Sequence, residues 1–201
     1  MKRIDTIMRW PLVYRLWMAP QIEQKFAPIV EHNELSRVRR VLDVGCGPGT
    51  NADQFHHADY VGIDWNERYI RDAQRRHNGR FVLGDVENFS VPLDERFDFI
   101  LVNSLLHHIG DTATRRLLSH LTGLLTEKGH IHIIELVLPA NASVPRFLAR
   151  SDRGEFPRSL SVWRQIFSEG FEEVIFEPFN LTACGFRLWN MLYFKGKMKE
   201  V

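Results

Sequence analysis

Cysteine is scarce in this chain: only Cys46 and Cys184 occur in 201 residues. Two cysteines cannot staple a secreted fold, and neither stands in a C-x-x-C or Cys/His cluster. The sequence therefore offers neither a disulfide framework nor a zinc motif. No metal is expected, and the scarcity fits a reducing, cytoplasmic setting. Charge of one sign is lacking too. Lys and Arg total 26 against 25 Asp and Glu, a net charge of +1, so no overall field draws the chain to nucleic acid. Long apolar runs are absent. The most apolar stretch near the N-terminus, residues 4–19, is interrupted by Asp5, Arg9 and Arg15. It is too short and too charged to span a bilayer, and no clear signal-peptide cleavage site follows it. There is no internal repeat and no low-complexity linker. The rest is 44% hydrophobic and 25% charged, an ordinary composition for a soluble protein. The length suits a single domain over 1–201 with a substantial core.

What is present is alternation. Strand-like runs at 40–44, 60–63, 81–83, 97–103 and 130–137 are separated by helical stretches such as 67–77 and 112–125. This is the pattern of a mostly parallel sheet with helices on both faces. In 112–125, Leu117, Leu118, Leu121, Leu124 and Leu125 recur at helical spacing and are expected in the core. A helix is expected over 161–169, stopped by Gly170 at its C′ position, and a closing strand pair at 174–176 and 188–194.

The first strand breaks into Asp43-x-Gly45-x-Gly47-x-Gly49, a turn dense enough in glycine for a ligand to approach the main chain. In an open α/β sheet that is where ligands bind, at the carboxyl end of a strand. A dinucleotide turn, G-x-G-x-x-G, would need a third glycine at position 50, which is Thr50. The pattern with Asp43 two before the first glycine resembles motif I of the class I S-adenosylmethionine-dependent methyltransferases. That resemblance implies a Rossmann-like seven-stranded α/β sheet of order 3-2-1-4-5-7-6 with the last strand antiparallel. It also implies S-adenosyl-L-methionine as cofactor and S-adenosyl-L-homocysteine as product.

Three further segments fit the resemblance, which covers residues 38–137 best. Asp64 ends the second strand, where a carboxylate can accept from both ribose hydroxyls; the other reading of Asp64 is a helix N-cap. Trp65, beside it, is grouped with the cofactor residues. Asp85 and Val86 follow the third strand, where the family recognises adenine; the alternative is a plain turn aspartate. Asn103 and Ser104 end the fourth strand, followed by His107 and His108, whose readings are proton transfer or simple packing. Asp98, at the opposite end of that strand, is expected to be structural.

Two regions unlike the core are left for the acceptor: an N-terminal helical cap over 1–37 and an inserted lid over 138–160. Tyr14, Trp17, Arg153 and Arg158 are the candidate acceptor contacts, with the alternative of a lid whose charges are merely solvated. Residues 1–20, aromatic and basic, read first as a helix packed on the domain; the other readings are a lid over an apolar substrate and a membrane-surface anchor. The expected function is methyl transfer to a small, partly hydrophobic acceptor, preferably at oxygen. The alternatives are a non-catalytic S-adenosylmethionine-binding module, or methylation of a protein or membrane lipid. RNA is disfavoured by charge, and Asn103 is followed by Ser-Leu-Leu rather than the tetrapeptide used on base amino groups. Oligomeric state is not legible.

Overall fold

The computed structural model describes residues 22–90, 93–152, 154–183 and 185–199. Tyr14, Trp17, Arg153 and the proposed anchor at 1–20 lie outside the described residues. Seven strands form one sheet of order β3-β2-β1-β4-β5-β7-β6. They are β1 (Arg40–Val44), β2 (Asp59–Asp64), β3 (Arg80–Leu83), β4 (Phe97–Asn103), β5 (Leu125–Leu136), β6 (Phe171–Ala183) and β7 (Phe186–Met198). Neighbours from β3 to β5 pair in parallel, whereas β7 runs antiparallel to both β5 and β6. This is the expected Rossmann-like arrangement.

Alternation along the strands builds two cores. Leu42 and Val44 of β1 face α3 (Asp111–Thr122) and α5 (Leu160–Gly170), meeting Leu117, Leu121, Trp163 and Phe167. Val41 points the other way, toward Phe26 and Ile29 of α1 (Ile22–Glu31) and Ile70 and Ala73 of α2 (Glu67–Arg76). Asp98, at the far end of β4, accepts from the Arg39 and Arg40 amides and joins two strands, as expected of a structural carboxylate.

Several boundaries differ from expectation for local reasons. Leu124 and Leu125 are core but not helical: α3 ends at Thr122, and Leu125 pairs with Phe97 as the first residue of β5. Their helical phase was real, but the chain changes direction at Gly123. Gly170 is the last helical residue rather than C′, because Phe171 caps the helix in extended conformation and enters β6 directly. The closing strands are far longer than their apolar runs, since Glu172, Glu173 and Glu177 sit in β6 at the edge of the sheet, where charged residues are tolerated. The expected lid over 138–160 contains α4 (Val144–Ser151), N-capped by the Ser143 hydroxyl and packed against β7.

Candidate active site

The glycine turn leaves the sheet through a backbone that side chains disfavour. Gly45, Gly47 and Gly49 have φ of 71°, 56° and 78°, in the left-handed region. A Cβ on Gly45 would stand 3.2 Å from the Leu105 side chain, so this residue is bare where the loop after β4 comes closest. The amides of Gly45 and Cys46 bond the Ile63 carbonyl, and the Gly47 amide donates to Asp64 Oδ2 at 2.9 Å. Asp64 Oδ1 accepts from the Asn66 amide at 2.7 Å. The N-cap of α2 is Asn66, whose side chain accepts from Arg68 and Tyr69, so the capping alternative for Asp64 does not apply. Burial raises the Asp64 pKa against the Asn66 and Gly47 amide bonds, which favour the charged form. Asp64 thus holds the turn closed and presents a largely buried carboxylate at the tip of β2.

Trp65 is 73% exposed beside it, and Leu83, at the end of β3, is 50% exposed. Two large apolar side chains left bare at adjacent strand ends are unusual away from a binding surface. Asp85 caps the short turn Val86–Asn88, accepting from the Glu87 amide, so the turn-aspartate reading describes its role within the chain. Its exposure leaves it accessible to a ligand as well. Ser104 has a φ of 56°, rare for a side-chain-bearing residue, and turns the chain out of β4 while its amide holds the Ile134 carbonyl at 2.8 Å.

Between these loops lies a small open cleft lined by Ile22, Lys25, Gly45, Cys46, Thr50, Asn51 and Asn103. Asn103 Nδ2 donates to Asn51 at 3.4 Å, while Asn103 Oδ1 and Thr50 Oγ1 are buried with no partner among the described residues. Unsatisfied buried polar atoms are costly unless a ligand or solvent meets them. Lys25 is 6% exposed, and burial lowers its pKa to about 8, partly offset by the charges of Glu135 and Asp152. A buried ammonium, orphaned polar atoms and a glycine floor match a zwitterionic, nucleoside-bearing ligand such as S-adenosylmethionine. Lys25 escaped the sequence reading, although its position was a signal: it shares the apolar stripe of Ile22, Phe26 and Ile29 at helical spacing.

Asp43 does not line the cleft. It lies fully buried beneath the turn, where Oδ2 accepts from Tyr60 Oη at 2.6 Å and Asn51 Nδ2 at 3.1 Å while Oδ1 has no partner. Burial pushes its pKa up to about 6, against the Tyr60 and Asn51 hydrogen bonds. A raised carboxylate means that the native state keeps a proton which the unfolded chain has already released. Stability from this group is therefore full below about pH 4 and is lost as pH rises to about 6. Asp43→Asn, which cannot ionise, should melt higher than the parent at pH 7.5 by roughly 6–12 °C, about 3 kcal/mol, with the gap closing toward pH 4. Thermal melts across that range check this; a gap independent of pH contradicts it.

The two histidines separate. His108 is exposed, with its ring centroid 4.2 Å from that of His107. His107 is buried between two carboxylates: Nδ1 lies 2.7 Å from Glu135 Oε2 and Nε2 lies 3.2 Å from Asp152 Oδ2. Burial pulls the His107 pKa down, but Glu135 and Asp152 outweigh it and lift it to about 9. Both ring nitrogens are engaged, so of the two readings of His107 the geometry favours packing and hydrogen bonding over proton transfer. Glu135 was missed altogether. It is fully buried and also accepts from the Leu105 and Leu106 amides at 2.9 and 2.6 Å. Its signal was a carboxylate inside the apolar run of a central strand.

Arg158 was expected against the acceptor, and the structure gives it another task. It is 5% exposed, and its guanidinium bonds the Leu106 and Ile109 carbonyls, Thr114 Oγ1 and Asp111. It also lies over the Trp163 ring at 4.7 Å. It clamps the His107 loop to α3 and α5 rather than facing a substrate. The nearby chain is equally fixed: a Cβ on Gly154 would fall 2.1 Å from the His107 ring, and the Phe156 amide bonds the His107 carbonyl.

With this geometry in place, the similarities to known proteins have a structural meaning. A family described as a methyltransferase domain matches residues 41–129. An uncharacterized methyltransferase of Mycobacterium bovis is 36% identical over 105 residues, 50% of this chain and 52% of that protein. A fatty-acid O-methyltransferase of Mycolicibacterium smegmatis is 41% identical over 70 residues, 31% of this chain and 25% of that protein. The chain thus spans about half or less of the length of these curated relatives. A solved S-adenosylmethionine-dependent methyltransferase from Methanosarcina mazei shares the fold, with a TM-score of 0.70 at 18% identity over 86% of this chain and 98% of that one. The matched segment runs from β1 to Gly129 and contains the glycine turn, Asp64, Asp85 and the Asn103–His108 loop. By fold, turn and matched domain, the chain is similar to the class I S-adenosylmethionine-dependent methyltransferases, with a methyltransferase-domain match over residues 41–129.

Proposed function

We propose that the chain transfers the methyl group of S-adenosylmethionine to an oxygen of a small, partly hydrophobic acceptor, most simply a carboxylate. The observation that carries this reading is the cleft lined by Gly45, Asn103 and buried Lys25, under a glycine turn that Asp64 holds through the Gly47 amide. In it Asp64 holds the ribose hydroxyls, Trp65 and Leu83 flank the adenine beside Asp85 and Val86, and Lys25 neutralises the methionine carboxylate among Gly45, Thr50 and Asn103. The cofactor supplies an electrophilic methyl on a sulfonium, a good leaving group, so the protein's work is alignment and exclusion of water.

The setting of His107 supports an acceptor that needs no base. A hydroxyl that stays protonated at neutral pH needs a base, but both His107 nitrogens are engaged by Glu135 and Asp152. A carboxylate already carries its lone pair and needs none. The M. smegmatis relative, an O-methyltransferase of fatty acids by name, supports an apolar acid as the first acceptor to try. Exposed Phe147 and Phe156, on and after α4, supply apolar surface on the acceptor side.

Incubating the full chain with S-adenosylmethionine and a panel of aliphatic acids, aromatic acids, phenols and amines tests this. The expected result is S-adenosylhomocysteine formed in equal amount with a methyl ester from an apolar acid. Binding of the cofactor with turnover only on amines contradicts the acceptor, and absence of binding contradicts the whole reading.

A further inference from the structure

We propose that His107, His108 and Asp152 bind one divalent transition-metal ion, backed by Glu135. One donor atom from each of the three lies within 4.8 Å of the others. With metal–ligand bonds of about 2.0–2.2 Å, donors around a tetrahedral ion stand roughly 3.3 Å apart. The His107 Nε2–Asp152 Oδ2 separation of 3.2 Å already has that span. His108, on the exposed side, needs to draw in by at most roughly 1.5 Å.

The orientation of His107 distinguishes this cluster from a chance gathering of surface groups. Its Nδ1 is tied to fully buried Glu135 at 2.7 Å, which turns Nε2 toward Asp152. An imidazole whose second nitrogen donates to a carboxylate behind it is the usual outer arrangement around a metal-ligating histidine. Glu135 is in turn fixed by the Leu105 and Leu106 amides, and the ring is wedged by the Gly154 backbone. The His107 donor is therefore held by packing before any ion arrives.

The donor set selects the class of ion. Two imidazoles and one carboxylate suit Zn²⁺ and its neighbours in the first transition row, whereas Mg²⁺ and Ca²⁺ favour all-oxygen surroundings. Glu135 and Asp152 bring two negative charges to the ring, and a divalent ion would take the place of the proton that they hold on His107. The Lys25 ammonium is drawn to the same two carboxylates and is the internal competitor. Because His107 and His108 follow β4 while Asp152 ends α4, a bound ion ties the acceptor-side segment to the sheet. Three protein donors leave one position open on the exposed side. No metal pattern is legible in the sequence, because Asp152 joins the histidines only through folding.

The test uses the full chain, free of any affinity tag and stripped of metal with a chelator, titrated with Zn²⁺ by calorimetry and with Co²⁺ by visible absorption. One equivalent of each is expected, with a Co²⁺ ligand-field band. Both signals should weaken at least about 10-fold in His108→Ala and in Asp152→Asn, the scale of lost ligand support. His108 is exposed and Asn matches Asp in size, so circular dichroism should report both variants folded. If it reports either variant unfolded, Co²⁺ absorption of the parent chain alone decides, through the presence or absence of the imidazole-ligated band. No stoichiometric binding by the parent, or undiminished binding in either folded variant, overturns the proposal. The outcome is independent of methyl transfer, since metal alone is the probe.

Discussion

Asp64→Ala should weaken S-adenosylmethionine binding by about 100-fold or more while the chain stays folded. Two effects add. The proposed ribose contact is a pair of hydrogen bonds to a charged acceptor, each worth roughly 1.5–3 kcal/mol. The same carboxylate also takes the Gly47 and Asn66 amides, so its loss frees the glycine turn that forms the floor of the cleft. About 3 kcal/mol corresponds to somewhat more than 100-fold in affinity. Asp64→Asn keeps the shape and one acceptor oxygen, and should fall between the parent and the alanine variant. Calorimetric titration with S-adenosylmethionine and S-adenosylhomocysteine measures both. Unchanged affinity in a folded Asp64→Ala chain removes Asp64 from the site.

Glu135→Gln should be the most destabilising conservative change in the sheet, lowering stability by about 3 kcal/mol and the melting temperature by roughly 6–12 °C. Glu135 is fully buried, yet it accepts from three backbone amides and from His107. Burial disfavours its charge, but the His107 charge and these bonds hold its pKa below the usual carboxylate range. A glutamine cannot accept at both ends: one end becomes an NH₂ facing either the Leu105 and Leu106 amides or His107 and the Leu136 amide. Removing one partner from a buried charged pair leaves the other uncompensated. Asp43 makes an instructive contrast. It is equally buried and has no cation beside it among the described residues, so its neutral isostere stabilises where that of Glu135 destabilises. Thermal melts of both variants at pH 7.5 compare them directly. A shift of the same sign in both contradicts the account of how these two carboxylates are held.

The parts of this molecule that were legible from sequence are those written in consecutive residues. The ends of β1 and β4 fall where their apolar runs end, and the turn from Asp43 to Gly49 carries its own conformational demand. Leu124 and Leu125 were misread as helical because phase alone cannot show that the chain has turned to form a strand. The long β6–β7 hairpin was cut short because its edge strand carries glutamates that no apolar pattern marks. Within the site the same division holds. Asp64 and the Asn103–His108 loop lie at strand ends that sequence can locate. Arg158, Glu135, Asp152 and Lys25 take their roles from distant partners, and a basic residue near an acceptor region looks the same whether it faces a substrate or clamps a loop. Arg158 is the plainest case, since its guanidinium turns inward onto two carbonyls.

The most direct test of the central claim is a crystal structure of the full chain with S-adenosylhomocysteine. The account predicts the ribose hydroxyls on Asp64, the adenine beside Asp85 and Val86, and the amino-acid end in the cleft among Gly45, Asn103 and Lys25. A ligand bound elsewhere, or a ribose turned away from Asp64 with the glycine turn intact, contradicts it.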